Sequence, residues 1–161
     1  MRILAILVVL SLMFVAACGG SASMPAGPSP IMPGGLTSLS GTWTGTSTDT
    51  SGPENMTWGV TQNGNAMTGT MNISDSNRGL MGSGSMQGTI SGATMTFHMA
   101  VPNGGFGGMM SSCSMSMDGQ AQMSDDGHTM TGTYSGSMTG MMSSMQSCGG
   151  AMNNGHFTLT R

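Results

Sequence analysis

From residue 40 to the C-terminus, apolar and small polar residues alternate with a period of two almost without interruption. In "NMTWGVTQ", Met56, Trp58 and Val60 share one face, opposite Thr57, Gly59 and Thr61. "AMTGTMNI" places Met67, Gly69, Met71 and Ile73 together, and "TMTFHMAV" does the same for Met95, Phe97, Met99 and Val101. "SMQGTI", "CSMSM", "TMTGTYSG" and "HFTLT" continue the pattern, and no helical spacing competes with it. Strict alternation marks strands with one buried face and one wet face. The pattern predicts eight strands, near 41–48, 55–62, 66–73, 83–90, 94–101, 112–124, 128–136 and 154–160. Ten methionines (Met56, Met67, Met71, Met86, Met95, Met99, Met115, Met117, Met123 and Met130) occupy the apolar face. Val, Ile or Leu would be usual there, but the flexible thioether side chain also fills a core.

Asn63-Gly64, Ser91-Gly92 and Asp126-Gly127 fall between alternating runs, where tight hairpins favour Gly or Asn at positive φ. The connections therefore read as long, short, long, short along the chain. In an up-and-down meander this gathers the long loops at one end and the tight turns at the other. One apolar face over eight strands closes into an antiparallel barrel, which also removes exposed edges. Gly69, Gly88 and Gly132 sit mid-strand, where closure needs bends. A small two-sheet β-sandwich would satisfy the same alternation. "NGNAMTGTMN" and "DGHTMTGTYS" are the same hairpin arm written twice.

Ahead of residue 40 the pattern changes. Residues 19–39 carry four prolines and five glycines with no hydrophobic period, a tether reaching at most roughly 60 Å. Before it, Arg2 precedes an apolar run from Ile3 to Leu10, continued from Leu12 to Ala17. That length suits a signal-peptide core better than a bilayer span. The run ends in Val15-Ala16-Ala17-Cys18, which resembles the lipobox of bacterial lipoproteins. The resemblance implies cleavage before Cys18, acylation of that cysteine, and a lipid-anchored protein of the bacterial cell envelope. It divides the chain into a signal peptide over 1–17, a lipidated tether over 18–39 and a barrel domain over 40–161. An ordinary signal peptide, cut after Ala17 with Cys18 incidental, is the alternative. Gly19 is not the Asp that often retains such proteins at the inner membrane, which favours the outer over the inner membrane if the cell is Gram-negative and leaves the domain in the periplasm or outside the cell.

"GTWTGT" at 41–46 is similar to the opening strand of calycin barrels, the lipocalin and avidin group. Those barrels often hold a late Arg over that Trp, and here the chain ends "FTLTR". The resemblance implies a cation–π contact between Trp43 and Arg161 across the closed end. The additional tryptophans of biotin binders are missing, since only Trp43 and Trp58 occur, so no ligand carries over. In this topology the tether leaves from the closed end.

Charge narrows the function. The chain has three basic and six acidic residues, and only Arg78 and Arg161 remain basic after residue 17. Nucleic acid is excluded as a partner for want of a basic footprint. With Cys18 taken by lipid, Cys113 and Cys148 are left, most simply as one disulfide in an exported protein and otherwise as a metal pair. No catalytic constellation suggests itself: there is no Gly-x-Ser-x-Gly elbow, no lysine, and no inward His beside an acid. Asp125-Asp126 read as turn residues, Asp75 and Arg78 as a surface pair within one loop, and His98 and His156 as outward. The chain implies no cofactor.

Eight further methionines follow residue 40 (Met81, Met109, Met110, Met138, Met141, Met142, Met145 and Met152), all predicted in loops at the open end. Three readings stay open for this thioether-rich lip. It plugs the barrel, it binds a small apolar ligand or, as a partner-binding or enzyme-inhibiting surface, an envelope protein, or it holds a soft cation such as Cu(I). Met109, Met110, Met138, Met141, Met142 and Met145 are the candidate ligand residues.

Overall fold

The computed structural model describes residues 38–75, 79–142, 144 and 146–161. Residues 1–37, with the expected signal segment, Cys18 and nearly all of the expected tether, lie outside the described residues, as do Arg78 and Met145.

Eight strands run in order: β1 Gly41–Asp49, β2 Gly52–Asn63, β3 Ala66–Asp75, β4 Leu80–Ser91, β5 Thr94–Val101, β6 Cys113–Met123, β7 Thr129–Gly140 and β8 Ala151–Thr160. Each pairs antiparallel with its sequence neighbours, and β8 returns to β1 with Thr44 opposite Thr160 and Thr48 opposite His156. The result is a closed up-and-down barrel and not a sandwich. The alternation dictates its inside. Every one of the ten in-phase methionines is buried, none more than 5 % exposed. The outward positions carry mostly Thr, Ser, Asn and Gln, the reverse of the apolar outer band of a membrane-spanning barrel.

Aromatic rings fill the middle. Trp58 lies 4.8 Å from Phe157 and 5.2 Å from Phe97, centroid to centroid. Inward glycines make room for these rings. Gly119 sits under Phe97 and Gly132 under Phe157, each opposite its ring in the strand register. With eight strands the bore is just wide enough for side chains to fill it.

At the closed end the Arg161 guanidinium lies 4.6 Å from the Trp43 ring centroid. Arg161 also donates from Nε to the Gly127 carbonyl at 2.8 Å and from one terminal nitrogen to the Ser38 carbonyl at 2.6 Å. The Trp43 indole N–H reaches the Leu39 carbonyl at 2.9 Å. The C-terminus thus ties down the segment that enters β1. In the β6–β7 turn the Asp126 carboxylate accepts from Ser124 and from the His128 backbone N–H. These bonds hold it below the usual carboxylate range.

The open end departs from the sequence expectation. The β1–β2 connection is a two-residue turn, Thr50-Ser51, and not a long loop. Asp49 accepts from both the backbone N–H and the hydroxyl of Ser51, so the side chain shapes the turn locally. Pro53 pairs within β2 opposite Thr48. Strands β4, β7 and β8 likewise run three or four residues further toward this end than the alternation indicated. The long connections are therefore three, after β3, β5 and β7.

Candidate functional site

The β5–β6 connection folds back over the barrel mouth. Phe106 bridges to Gly82 of β4, and the Ser83 N–H donates to the Gly105 carbonyl at 2.8 Å. A Cβ on Gly82 would lie 2.6 Å from the Phe106 ring, so the glycine lets this buried ring seat against β4. Beyond Phe106 the chain makes one 3-10 turn, Gly108–Met110, which presents Met109 and Met110. The disulfide between Cys113 and Cys148 then joins the start of β6 to the β7–β8 connection. That connection is further held by the Cys148 N–H to the Gly140 carbonyl at 3.1 Å and the Met138 N–H to the Gly150 carbonyl at 3.1 Å.

These segments leave a cavity of about 320 Å³ at the mouth. Its wall is Leu80, Met109, Met110, Met138, Met142, Met152 and Cys148, with Ser51, Glu54, Gly150 and Ala151 completing it. Of the candidate methionines, Met109, Met110, Met138 and Met142 come together on this wall. Met141 does not: it bridges to Ser147 and stays largely exposed, off the wall. Met145 lies outside the described residues. Three methionines expected in loops are on strands. Met81 faces outward from β4, Met138 is on β7, and Met152 is buried on β8.

The polar side of the mouth was not anticipated. Glu54, 8 % exposed, lies in phase with Met56 and Trp58 and so faces inward at the mouth end of β2. Asp75, expected in a surface pair with Arg78, is the last residue of β3 and is 5 % exposed on the inward face. Both carboxylates are engaged in interactions. The Tyr134 hydroxyl donates to the Asp49 carboxylate at 3.0 Å. Burial pushes that hydroxyl above the usual tyrosine value, and the carboxylates of Asp49 and Glu54 add to the shift. The buried Ser47 hydroxyl lies beside it and offsets part of that rise. The signal for these residues was present in the phase of alternation: Ser47 and Asp49 follow Trp43 by even steps, and Glu54 precedes Met56 by two.

Comparison with protein-family models, with curated proteins and with solved structures finds no match to this chain. The site must be read from its own chemistry. Among the described residues, no three His, Cys, Asp or Glu side chains gather as a metal site would require. His98 pairs with Asp118 at 2.8 Å on the outer wall, away from the cavity. What the mouth offers is an apolar, mostly thioether wall with one carboxylate and one hydroxyl at its edge. Such a wall can hold an apolar body by contact and desolvation.

Proposed function

We propose that this is a non-catalytic, calycin-like lipoprotein of the bacterial envelope, anchored through Cys18, which binds a small apolar ligand in its mouth cavity. The cavity carries the reading. Its volume, about 320 Å³, falls at the small end of the range of about 300–1,000 Å³ typical of ligand sites. Methionine adapts its shape to different ligands, which suits a binder of a chemical class more than of one compound. Burying about 250 Å² of apolar ligand surface yields roughly 6 kcal/mol before association costs, which sets the affinity at roughly tens of micromolar or weaker. The test is a titration of the mature chain from Gly19 with the neutral fluorophore N-phenyl-1-naphthylamine. Saturable binding that Met138→Asp weakens at least tenfold supports the proposal. Absence of saturable binding rejects it. The anchor is tested separately by detergent phase partitioning, which Cys18→Ser should shift to the aqueous phase.

A second reading is favoured by one observation: five thioethers, from Met109, Met110, Met138, Met142 and Met152, line the same cavity. Thioethers select soft cations such as Cu(I). A stoichiometric copper adduct in native mass spectra, lost when Met138 and Met142 become Leu, would favour that ligand.

A further inference from the structure

Among the described residues the methionines form two populations. Those inside the barrel, with Met152 at its rim, are out of solvent. Met81, Met109 and Met141 are 66–68 % exposed, and Met110, Met138 and Met142 are partly buried against the core. Of the six accessible thioethers among the described residues, four, Met109, Met110, Met138 and Met142, lie on the wall of the mouth cavity. We infer that this wall is a modification site, where oxidation of those four methionines to sulfoxides switches the cavity from apolar to polar and releases its ligand. The inference rests on the apolar-ligand reading of the cavity.

The oxidant is a peroxide-class two-electron acceptor. A thioether lone pair attacks one oxygen of hydrogen peroxide, the O–O bond breaks as an S–O bond forms, the sulfur loses two electrons, and the proton on the transferred oxygen passes to the departing hydroxide, which leaves as water. Exposure controls where this happens, because the peroxide must reach the sulfur. The sulfoxide oxygen is a strong acceptor that water satisfies and an apolar ligand does not. A ligand that covers it leaves a polar group unsatisfied, a loss of roughly tenfold or more in affinity. Buried barrel methionines keep their thioethers, so the fold survives the change in the mouth. Met81 and Met141 are internal controls: they are as exposed as Met109 but lie off the cavity wall.

The experiment uses the mature chain from Gly19, whose barrel closes on itself between β1 and β8 and holds its own core. Graded hydrogen peroxide is followed by peptide mass mapping of each methionine and by titration with N-phenyl-1-naphthylamine. The expected result is sulfoxide at the exposed set before the barrel set, with at least a tenfold loss of probe affinity, reversed by methionine sulfoxide reductase. The quadruple variant Met109→Leu, Met110→Leu, Met138→Leu and Met142→Leu keeps an apolar wall and should bind the probe equally before and after peroxide. Unchanged probe affinity with the four sites oxidised overturns the inference and leaves the ligand reading standing. So does a loss that persists in the quadruple variant. A reduced protein that never binds the probe overturns both.

Discussion

Breaking the Cys113–Cys148 bond is the perturbation whose size follows most directly from the chain. The two cysteines are 35 residues apart in sequence. Closing a ring of that length restricts the unfolded chain by about 4 kcal/mol on the loop-entropy model. That is a large share of the roughly 5–15 kcal/mol by which domains are stable. The bond spans β6, all of β7 and much of the β7–β8 connection, and its cysteines lie buried at the mouth. Among the described residues of this connection, the backbone hydrogen bonds to the barrel strands that remain without it are Cys148 to Gly140 and Met138 to Gly150. The assay is urea unfolding of the chain from Gly19 against the double variant Cys113→Ala and Cys148→Ala, followed by tryptophan fluorescence. Both tryptophans lie in the barrel, so the signal reports global unfolding. With a urea slope of about 2 kcal/mol per molar, the midpoint should fall by roughly 2 M. A fall under about 0.5 M at unchanged slope would refute the reasoning, because the bond would then be closing a loop the unfolded chain already holds closed.

Three further expectations follow from the packing. Tyr134 is the chain's single tyrosine, and its raised folded-state value means the folded form holds the proton more tightly. Its stabilising contribution is complete below the ordinary value of 10.0 and is lost as pH climbs above it. Tyrosinate absorbance should rise only together with alkaline unfolding, and an ordinary titration within the folded state would contradict the burial argument. For Gly132→Ala, the added methyl would collide with the Gln120 carbonyl oxygen and the Phe157 ring. A loss of about 1–3 kcal/mol in urea is expected, and a neutral result would mean the ring does not rest on this glycine. Arg161→Ala removes the guanidinium from the Trp43 ring and from the carbonyls of Gly127 and Ser38. A loss of about 1–2 kcal/mol is expected at this partly solvated site, with earlier hydrogen exchange at residues 38–43. Protection unchanged there would show that the C-terminus does not latch the entry to β1.

Much of this protein is local information. Period-two alternation determined which residues form strands, and its phase determined that Met56, Met71, Met99 and Met130 point inward, because successive side chains on a strand face opposite sides. Glycine at the hairpin tips set the tight-turn end, where Gly64, Gly92 and Gly127 take positive φ. Tertiary structure decided the rest. Strand ends at the mouth come from pairing with a neighbour, so β2 begins at Gly52 because Asp49 lies opposite it, though Pro53 and Ser51 read as loop. Glu54 and Asp75 are buried because the closing barrel carries their strands' inward face past the last apolar residue. The mouth methionines were recognisable as a group, yet which of them share a wall depends on contacts between segments far apart in sequence. The disulfide, the Phe106–Gly82 bridge and the Met141–Ser147 bridge bring Met109, Met110, Met138 and Met142 together and turn Met141 away. Alternation is a property of one strand, whereas a cavity is a property of several segments packed at once.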